Sequence, residues 1–376
     1  MAVKSINVLI AGGGTGGHIS PGVALYEEFK SRGMGAIFLV GKKDERFSSL
    51  EDVSAGDLIA YSAPTLTKNI FKLPFFTLSF LLAVIAARRI IRKNEIRAVI
   101  GMGGYVSAPA LIAARTLGVP LFLCEQNAVP GKVTASFEKH ASRVYGTFIG
   151  ALEYLNFKDK YVNAGNPIRK KVLGKTSIAE ARRAFHLEAS KKVILAIGGS
   201  QGALRINELV HGLKTGFARE FKDVGIIWST GSYSYEKFKS MVQSDMEGGA
   251  IYMSPFIDKV GLAYAACDLA ISRSGSGVMM ELAAMGIPSI QIPYPFAAMD
   301  HQDKNADDFV RAGAAIKISN EDAVPEKVAP VIIGLLGNDR QLNKMKEAAL
   351  RAAKPDAAAV IVEDIVRTVE AACGRE

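Results

Sequence analysis

Twice in this chain an apolar strand candidate runs into a glycine-rich turn that opens a helix. The first is Val8-Leu9-Ile10-Ala11, followed by Gly12-Gly13-Gly14-Thr15-Gly16-Gly17-His18 and then a helical stretch from Pro21 to Phe29. The second comes about half a chain later, where Lys192–Ile197 meets Gly198-Gly199-Ser200-Gln201-Gly202. A strand, a glycine turn and a helix in succession aim backbone N–H groups and a helix dipole at a phosphate. Around both turns, short apolar runs alternate with helical stretches along the whole chain, and parallel strands need such crossovers. The expected fold is therefore α/β, with two doubly wound, Rossmann-like domains that face each other across a cleft.

In the first half, strands are expected near residues 6–11, 36–40, 97–101, 120–123, 143–146 and 161–164. In the second half they are expected near 192–197, 225–228, 250–252, 268–271, 288–292 and 315–318. Gly165-Asn166-Pro167-Ile168-Arg169 reads as the passage between halves, which places the domains at residues 1–165 and 166–354. The Ala-rich tail, within 355–376, is helical by period, with Val360, Ile361, Ile365, Val366 and Val369, and is expected to pack back on the first domain.

The first turn also fits G-x-G-x-x-G through Gly12, Gly14 and Gly17. The acid that should follow about 20 residues on, to hold a ribose, is not in its place. The second strand runs into Gly41-Lys42-Lys43, and the first acid is Asp44. This reads as a phosphate site of nucleotide type rather than a nicotinamide dehydrogenase.

Three widely spaced cysteines (Cys124, Cys267, Cys373) give neither a metal pattern nor a disulfide framework, which fits a reducing compartment. The first residues lack the features of a signal peptide, so the expectation is cytoplasmic. Charge is uneven: residues 1–165 carry 19 Lys+Arg against 12 Asp+Glu. Within 68–97 there are seven basic residues (Lys68, Lys72, Arg88, Arg89, Arg92, Lys93, Arg97) against Glu95, and they flank the most apolar stretch, Leu73–Ala87. Fifteen residues fall short of the roughly 20 a spanning helix needs, and Pro74 suits a helix start. One reading is a buried domain helix. The other is a helix whose exposed end dips into an anionic membrane surface. No helix-turn-helix, zinc or aromatic-platform pattern supports nucleic acid.

Further segments at strand ends lack the composition of plain connectors. Gly101-Met102-Gly103-Gly104-Tyr105 has the glycines of an anion nest, or of a tight turn needing positive φ. Cys124-Glu125-Gln126-Asn127 places a carboxylate and two amides where a sugar or peptide would be met. In the second half, Ser272-Arg273-Ser274-Gly275-Ser276 turns into a helix carrying Glu281, which is either a ribose ligand or a solvated helix residue. Pro293-Tyr294-Pro295-Phe296 and Asp300-His301-Gln302 follow.

The order of these segments is more specific than any one of them. GGTGGHISP at residues 13–21, GMGGYVSAP at 101–109, EQN at 125–127, GNPIR at 165–169, GGSQGA at 198–203, SRSGSGVMMELAAMGIPSIQIPYP at 272–295 and DHQ followed by NA at 300–306 resemble glycosyltransferase family 28 from residue 8 to about 310. More narrowly, they resemble those members that pass N-acetylglucosamine from UDP-N-acetylglucosamine to undecaprenyl-pyrophosphoryl-N-acetylmuramoyl-pentapeptide, lipid I. The resemblance implies the GT-B fold, inversion at the anomeric carbon, no metal or other cofactor, and work at the cytoplasmic face of the membrane. It implies that Thr15, Gly16, Gly17 and Asn127 approach the donor's pyrophosphate or sugar. Arg169 and Ser200 would meet the donor diphosphate, Ile257 the uracil, Glu281 the ribose diol and Gln302 the N-acetylglucosamine hydroxyls. Gly103, Gly104, Tyr105 and Glu125 would face the acceptor.

The chain departs from the family's pattern at Cys124, where a His is usual, and at Val133-Thr134-Ala135, near which an Asn-Arg is usual. His18 is the candidate general base, since a helix N-terminus disfavours the charged ring; the alternative is that it only caps its helix. Two rival activities share such a donor domain, a diacylglycerol glycosyltransferase and a UDP-N-acetylglucosamine epimerase.

Overall fold

The computed structural model describes residues 6–45, 47–64, 73–188, 190–199, 201–244 and 250–373. The chain forms two compact units, Met1–Lys170 with Lys354–Glu376, and Lys171–Ala353. Asn166–Arg169, placed in the second domain by the sequence reading, thus belongs to the first unit.

Unit 1 holds strands β1 (Asn7–Ala11), β2 (Gly35–Gly41), β3 (Leu58–Tyr61), β4 (Ala98–Gly101), β5 (Leu121–Glu125), β6 (Arg143–Gly146) and β7 (Tyr161–Asn163). They form one parallel sheet in the order β3-β2-β1-β4-β5-β6-β7. Six of these strands coincide with the apolar runs in the sequence; β3, at the sheet edge, is additional. Its helices are α1 (Gly16–Ser31), α2 (Leu73–Lys93), α3 (Gly104–Thr116) and α4 (Lys132–Phe137).

A parallel sheet covered on both faces needs strands that are apolar on both sides, and β1 shows the division of labour. Val8 and Ile10 point into a core shared with Ile19 and Val23 of α1. Leu9 and Ala11 point the other way, into a core with Ala83 and Ala87 of α2 and with Ala110 and Leu111 of α3.

Unit 2 holds β8 (Lys192–Ile197), β9 (Val224–Ser229), β10 (Ile251–Ser254), β11 (Leu269–Ser272), β12 (Ser289–Gln291) and β13 (Ala315–Lys317), parallel in the order β10-β9-β8-β11-β12-β13. Its helices are α5 (Ile178–Ala184), α6 (Leu204–Gly216), α7 (Tyr235–Ser244), α8 (Val260–Ala266), α9 (Ser276–Ala284), α10 (His301–Arg311), α11 (Pro325–Leu336) and α12 (Asp339–Ala352). Ile194 and Ala196 of β8 pack with Ile206 and Val210 of α6 and with Val328 and Ile332 of α11.

The chain then returns to unit 1 as α13 (Ala357–Cys373). Ile361, Val362, Ile365 and Val369 join the α1 side of that unit's core, and Tyr145 of β6 donates to Asp364 at 2.8 Å.

α2 runs for 21 residues, six more than the apolar stretch, because Arg88–Lys93 continue the helix. Pro74 stands in its first turn, where its missing N–H costs nothing. Ala83, Val84, Ala87 and Ile91 are buried, whereas Phe75 (74% exposed), Leu78, Leu81, Leu82 (57%) and Ile85 are not. So α2 is a core helix along one face and bare hydrocarbon along the other. Lys68 and Lys72, part of the basic cluster noted in the sequence, lie outside the described residues.

Candidate functional site

In unit 1 the carboxyl ends of four strands lie side by side, since Ala11 pairs with Leu39 and Gly101, and Gly101 with Leu123. The segments that follow these strands (12–18, 41–44, 102–105 and 124–127) therefore gather on one edge. The strand order reverses there between β1 and β4, the position at which such sheets take ligands.

His18 lies in the first turn of α1, whose N-terminus has no side-chain cap and no acid in its first turn. Its Nδ1 is 3.0 Å from the Gly13 carbonyl oxygen and 3.2 Å from Thr15 Oγ1. A carbonyl can only accept, so the neutral ring carries its proton on Nδ1 and its basic lone pair on Nε2. The ring rests on Gly103 and Gly104, which have φ of 92° and 73°. A Cβ on Gly103 would stand 3.0 Å from Nε2, and one on Gly104 would stand 2.4 Å from the Gly13 oxygen. The two glycine turns touch because both lack side chains.

Asp44 explains the acid missing from the dinucleotide pattern. It is buried, and its Oδ2 accepts the Gly14 N–H at 2.9 Å. The carboxylate braces the turn itself, so Gly14 does not offer that N–H to a phosphate. What the turn presents is the start of α1, at Thr15, Gly16 and Gly17. Tyr105 lies across Gly14, where a Cβ would be 3.2 Å from its ring. Burial, and then the Asp44 charge, push its phenol above the usual range.

Glu125, at the end of β5, is also buried. Its Oε1 accepts the Asn127 N–H at 3.0 Å, and its Oε2 accepts the Gly131 N–H at 2.9 Å and the Thr134 hydroxyl at 2.6 Å. The resemblance turned this carboxylate toward an acceptor; in the structure it is directed into its own loop. Gln126 is held by donating to the Cys124 carbonyl at 3.1 Å. Burial drives the Cys124 thiol well above its ordinary range, which leaves it a small core side chain. Arg169, expected with the second domain, sits in unit 1. Its Nη1 is 3.4 Å from Asp52 Oδ2, and its buried Nε has no hydrogen-bond partner.

Unit 2 repeats the arrangement. Ile197 pairs with Ser229 and Ser272, and Ser272 with Gln291, so the segments after β8, β9, β11 and β12 share an edge. Beside it lies a cavity of about 670 Å³ whose walls include Gly198, Gly199, Gly202, Arg273, Tyr294 and Gln302. Ser200, within the same glycine turn, lies outside the described residues.

Gln302 Oε1 accepts the Tyr294 N–H at 2.9 Å, which leaves the side-chain NH2 as its donor end. Arg273 ties the loop after β12 to the cavity through Nη1, which donates to the carbonyls of Ile292 (3.0 Å) and Pro293 (2.9 Å). Its guanidinium also lies 5.5 Å from the Tyr294 ring centre, a cation–π contact. Val278 of α9 lines the cavity, and Glu281 follows it by three residues on the same helix. Glu281 itself is off the cavity wall and accepts the hydroxyl of buried Tyr264 at 2.6 Å. Ile257, after β10, is buried and likewise off the wall.

The sequence pattern did not mark Asp44, Tyr264 or Thr134 as partners of these groups. Each belongs to a different segment from the residue it supports.

Comparison with known proteins agrees with the fold. The glycosyltransferase family 28 N-terminal domain matches residues 8–146, and the family 28 C-terminal domain matches residues 193–361. The chain is 34% identical over 375 residues to a Chlorobaculum tepidum protein, covering 96% of this chain and 99% of that one. It is 34% identical over 377 residues to one from Geobacter metallireducens, covering 96% and 98%. Both are UDP-N-acetylglucosamine--N-acetylmuramyl-(pentapeptide) pyrophosphoryl-undecaprenol N-acetylglucosamine transferases. Among solved structures, Acinetobacter baumannii MurG superposes with a TM-score of 0.73 at 26% identity, covering 96% of this chain and 99% of that one. A UDP-GlcNAc 2-epimerase from Neisseria meningitidis superposes at 0.68 with 12% identity, covering 97% and 100%, a likeness of fold alone.

Proposed function

The chain belongs to glycosyltransferase family 28, and on that footing we propose how its residues divide the work. The enzyme moves N-acetylglucosamine from UDP-N-acetylglucosamine to the muramoyl group of lipid I, giving lipid II for peptidoglycan. The 4-hydroxyl of the muramoyl sugar attacks the anomeric carbon of the donor with inversion. The C1–O bond to the diphosphate breaks, UDP leaves with the bonding pair, and the hydroxyl proton passes to His18 Nε2.

The observation that carries the base assignment is the 3.0 Å contact from Nδ1 to the Gly13 carbonyl. It sets the tautomer whose other nitrogen is basic, and it holds the ring against the Gly103–Gly104 turn. A base placed in this way is worth about 10²- to 10⁴-fold in rate. His18→Ala is therefore expected to lower kcat by that order while leaving the affinity for UDP-N-acetylglucosamine unchanged. A rate within twofold of the parent enzyme would remove the base role.

On the donor side, unit 2 takes the nucleotide. Glu281, oriented by Tyr264, accepts the ribose diol, and Ile257 backs the uracil. Ser200 and the glycine turn around it meet the diphosphate, and the Gln302 amide reaches the N-acetylglucosamine hydroxyls. Unit 1 contributes the N–H groups of Thr15–Gly17 at the start of α1, the Arg169 guanidinium and Asn127. Preorganised donors of this kind stabilise a leaving diphosphate because they need no reorientation as charge develops. The acceptor diphosphate and muramoyl group fall to the Gly103–Tyr105 turn.

The enzyme works at the cytoplasmic face of the membrane as a peripheral protein. The support is α2, whose bare apolar face is bordered by Arg89, Arg92 and Lys93, all exposed. By length and composition α2 would also span a bilayer, but its other face is already used in the core of unit 1. The helix therefore lies on the surface, with its outer side chains in the acyl region and its cations among anionic headgroups.

A further inference from the structure

The buried carboxylate of Glu125 has both oxygens occupied by its own loop, and this changes what the residue is for. Oε1 takes the backbone N–H of Asn127, while Oε2 takes the N–H of Gly131 and the hydroxyl of Thr134. Of these donors only the Thr134 hydroxyl belongs to a side chain, and its bond is the shortest, at 2.6 Å. Thr134 is buried and stands in the first turn of α4, at one of the two places where the sequence departs from the family's pattern. An ionised carboxylate accepts and never donates, and hydrogen bonds to it are roughly twice as strong as neutral ones.

We propose that Thr134 is a positioning residue for the transfer reaction: through Glu125 it clamps the 125–134 loop and so fixes Asn127 for the donor. The proposal rests on the assignment of Asn127 to the donor given above. Two consequences follow from the chemistry. Glu125 acts on the loop rather than on the acceptor, so disturbing it should show in donor kinetics and not in those of lipid I. The hydroxyl, and not the bulk of the side chain, is what position 134 requires. Valine has the shape of threonine but no donor, and would leave Oε2 with one partner fewer in a buried site.

The test is a cycle of Thr134→Val, Asn127→Ala and the double variant, with Thr134→Ser and Glu125→Gln alongside. KM for UDP-N-acetylglucosamine, KM for lipid I and kcat are measured for each, and a thermal melt confirms folding. Thr134→Val is expected to raise the donor KM about tenfold with the lipid I KM unchanged, and Thr134→Ser to restore it. In the Asn127→Ala background the valine should add little, since coupled residues are not additive. Glu125→Gln puts an NH2 against one of three donors and should shift the donor KM in the same direction.

The proposal is overturned if Thr134→Val leaves donor KM unchanged while Asn127→Ala raises it, or if the valine effect is undiminished in the Asn127→Ala background. It is also overturned if Glu125→Gln moves the lipid I KM instead. If Asn127→Ala itself leaves donor KM unchanged, the donor role of Asn127 fails, and the clamp's route to the substrate fails with it.

Discussion

At the scale of single residues, what matters is which partner each polar group has already taken. Glu281 accepts from Tyr264 at 2.6 Å, a bond that fixes the direction of the carboxylate. Glu281→Ala is expected to weaken UDP binding by one to two orders of magnitude, the worth of hydrogen bonds to a charged group. Calorimetric titration with UDP would check this, and unaltered affinity would sink the ribose assignment.

Lys214 offers a test of a different kind, far from the chemistry. Burial lowers its ammonium to about 8, although Nζ donates to the carbonyls of Phe221 and Val224. A folded pKa below the unfolded value means that folding opposes the protonated form. Stability should therefore rise as pH climbs from about 8 towards the unfolded value of 10.5. Lys214→Met should lack that rise and be at least as stable at pH 7; melting curves of both proteins from pH 7 to 10 decide it, and an equal slope in the variant would contradict it.

The glycine turns and His18 were legible in the sequence because a turn and its helix are contiguous. Asp44 was not read as the brace of Gly14, because that contact depends on β1 and β2 being neighbours. The sequence also offered Glu125 as a group free to meet a ligand. Its three donors show why composition alone cannot tell a binding carboxylate from a structural one.

Among elements, the buried parallel strands were the easiest to read. Each is a short apolar run bounded by turn residues, covered on both faces. The edge strands β3, β7, β10 and β13 are less covered, with mostly half-buried residues, and of these β3, Leu58–Tyr61, is the one the sequence reading did not mark. α2 posed the opposite problem, because its residues are apolar on every side and no period separates the two faces. Only the packing does so, with Ala83 and Ala87 inward and Phe75, Leu78 and Leu82 outward.

That division sets the membrane experiment. Phe75, Leu78 and Leu82 changed together to Ser should abolish sedimentation with vesicles rich in anionic lipid and leave the melting temperature unchanged. Undiminished binding would contradict the surface-helix reading. Phe76 and Phe80 are poorer choices, since both are half-buried and Phe80 packs on the core.

For the molecule as a whole, the sequence showed two α/β halves, and the structure shows two parallel sheets of seven and six strands, each with its order reversing at a glycine turn. The ownership of the connecting segments was harder to see. Residues up to Lys170 stay with unit 1, and the chain re-enters that unit at Lys354. Lys354 donates to the Asn163 side chain at 2.8 Å, a bond between residues 191 apart that no local pattern announces.

The fold does not separate the activities that share it, because epimerases with 12–14% identity superpose nearly as well as the transferase. Near-full-length identity of 32–34% to the transferases separates them. The most direct measurement is therefore made with purified enzyme and UDP-N-acetylglucosamine labelled in the sugar, with and without lipid I. The account predicts that label enters the lipid fraction, with stoichiometric release of UDP, only when lipid I is present. Conversion of the labelled nucleotide sugar to an epimer without acceptor, or label that never reaches lipid I, would contradict it.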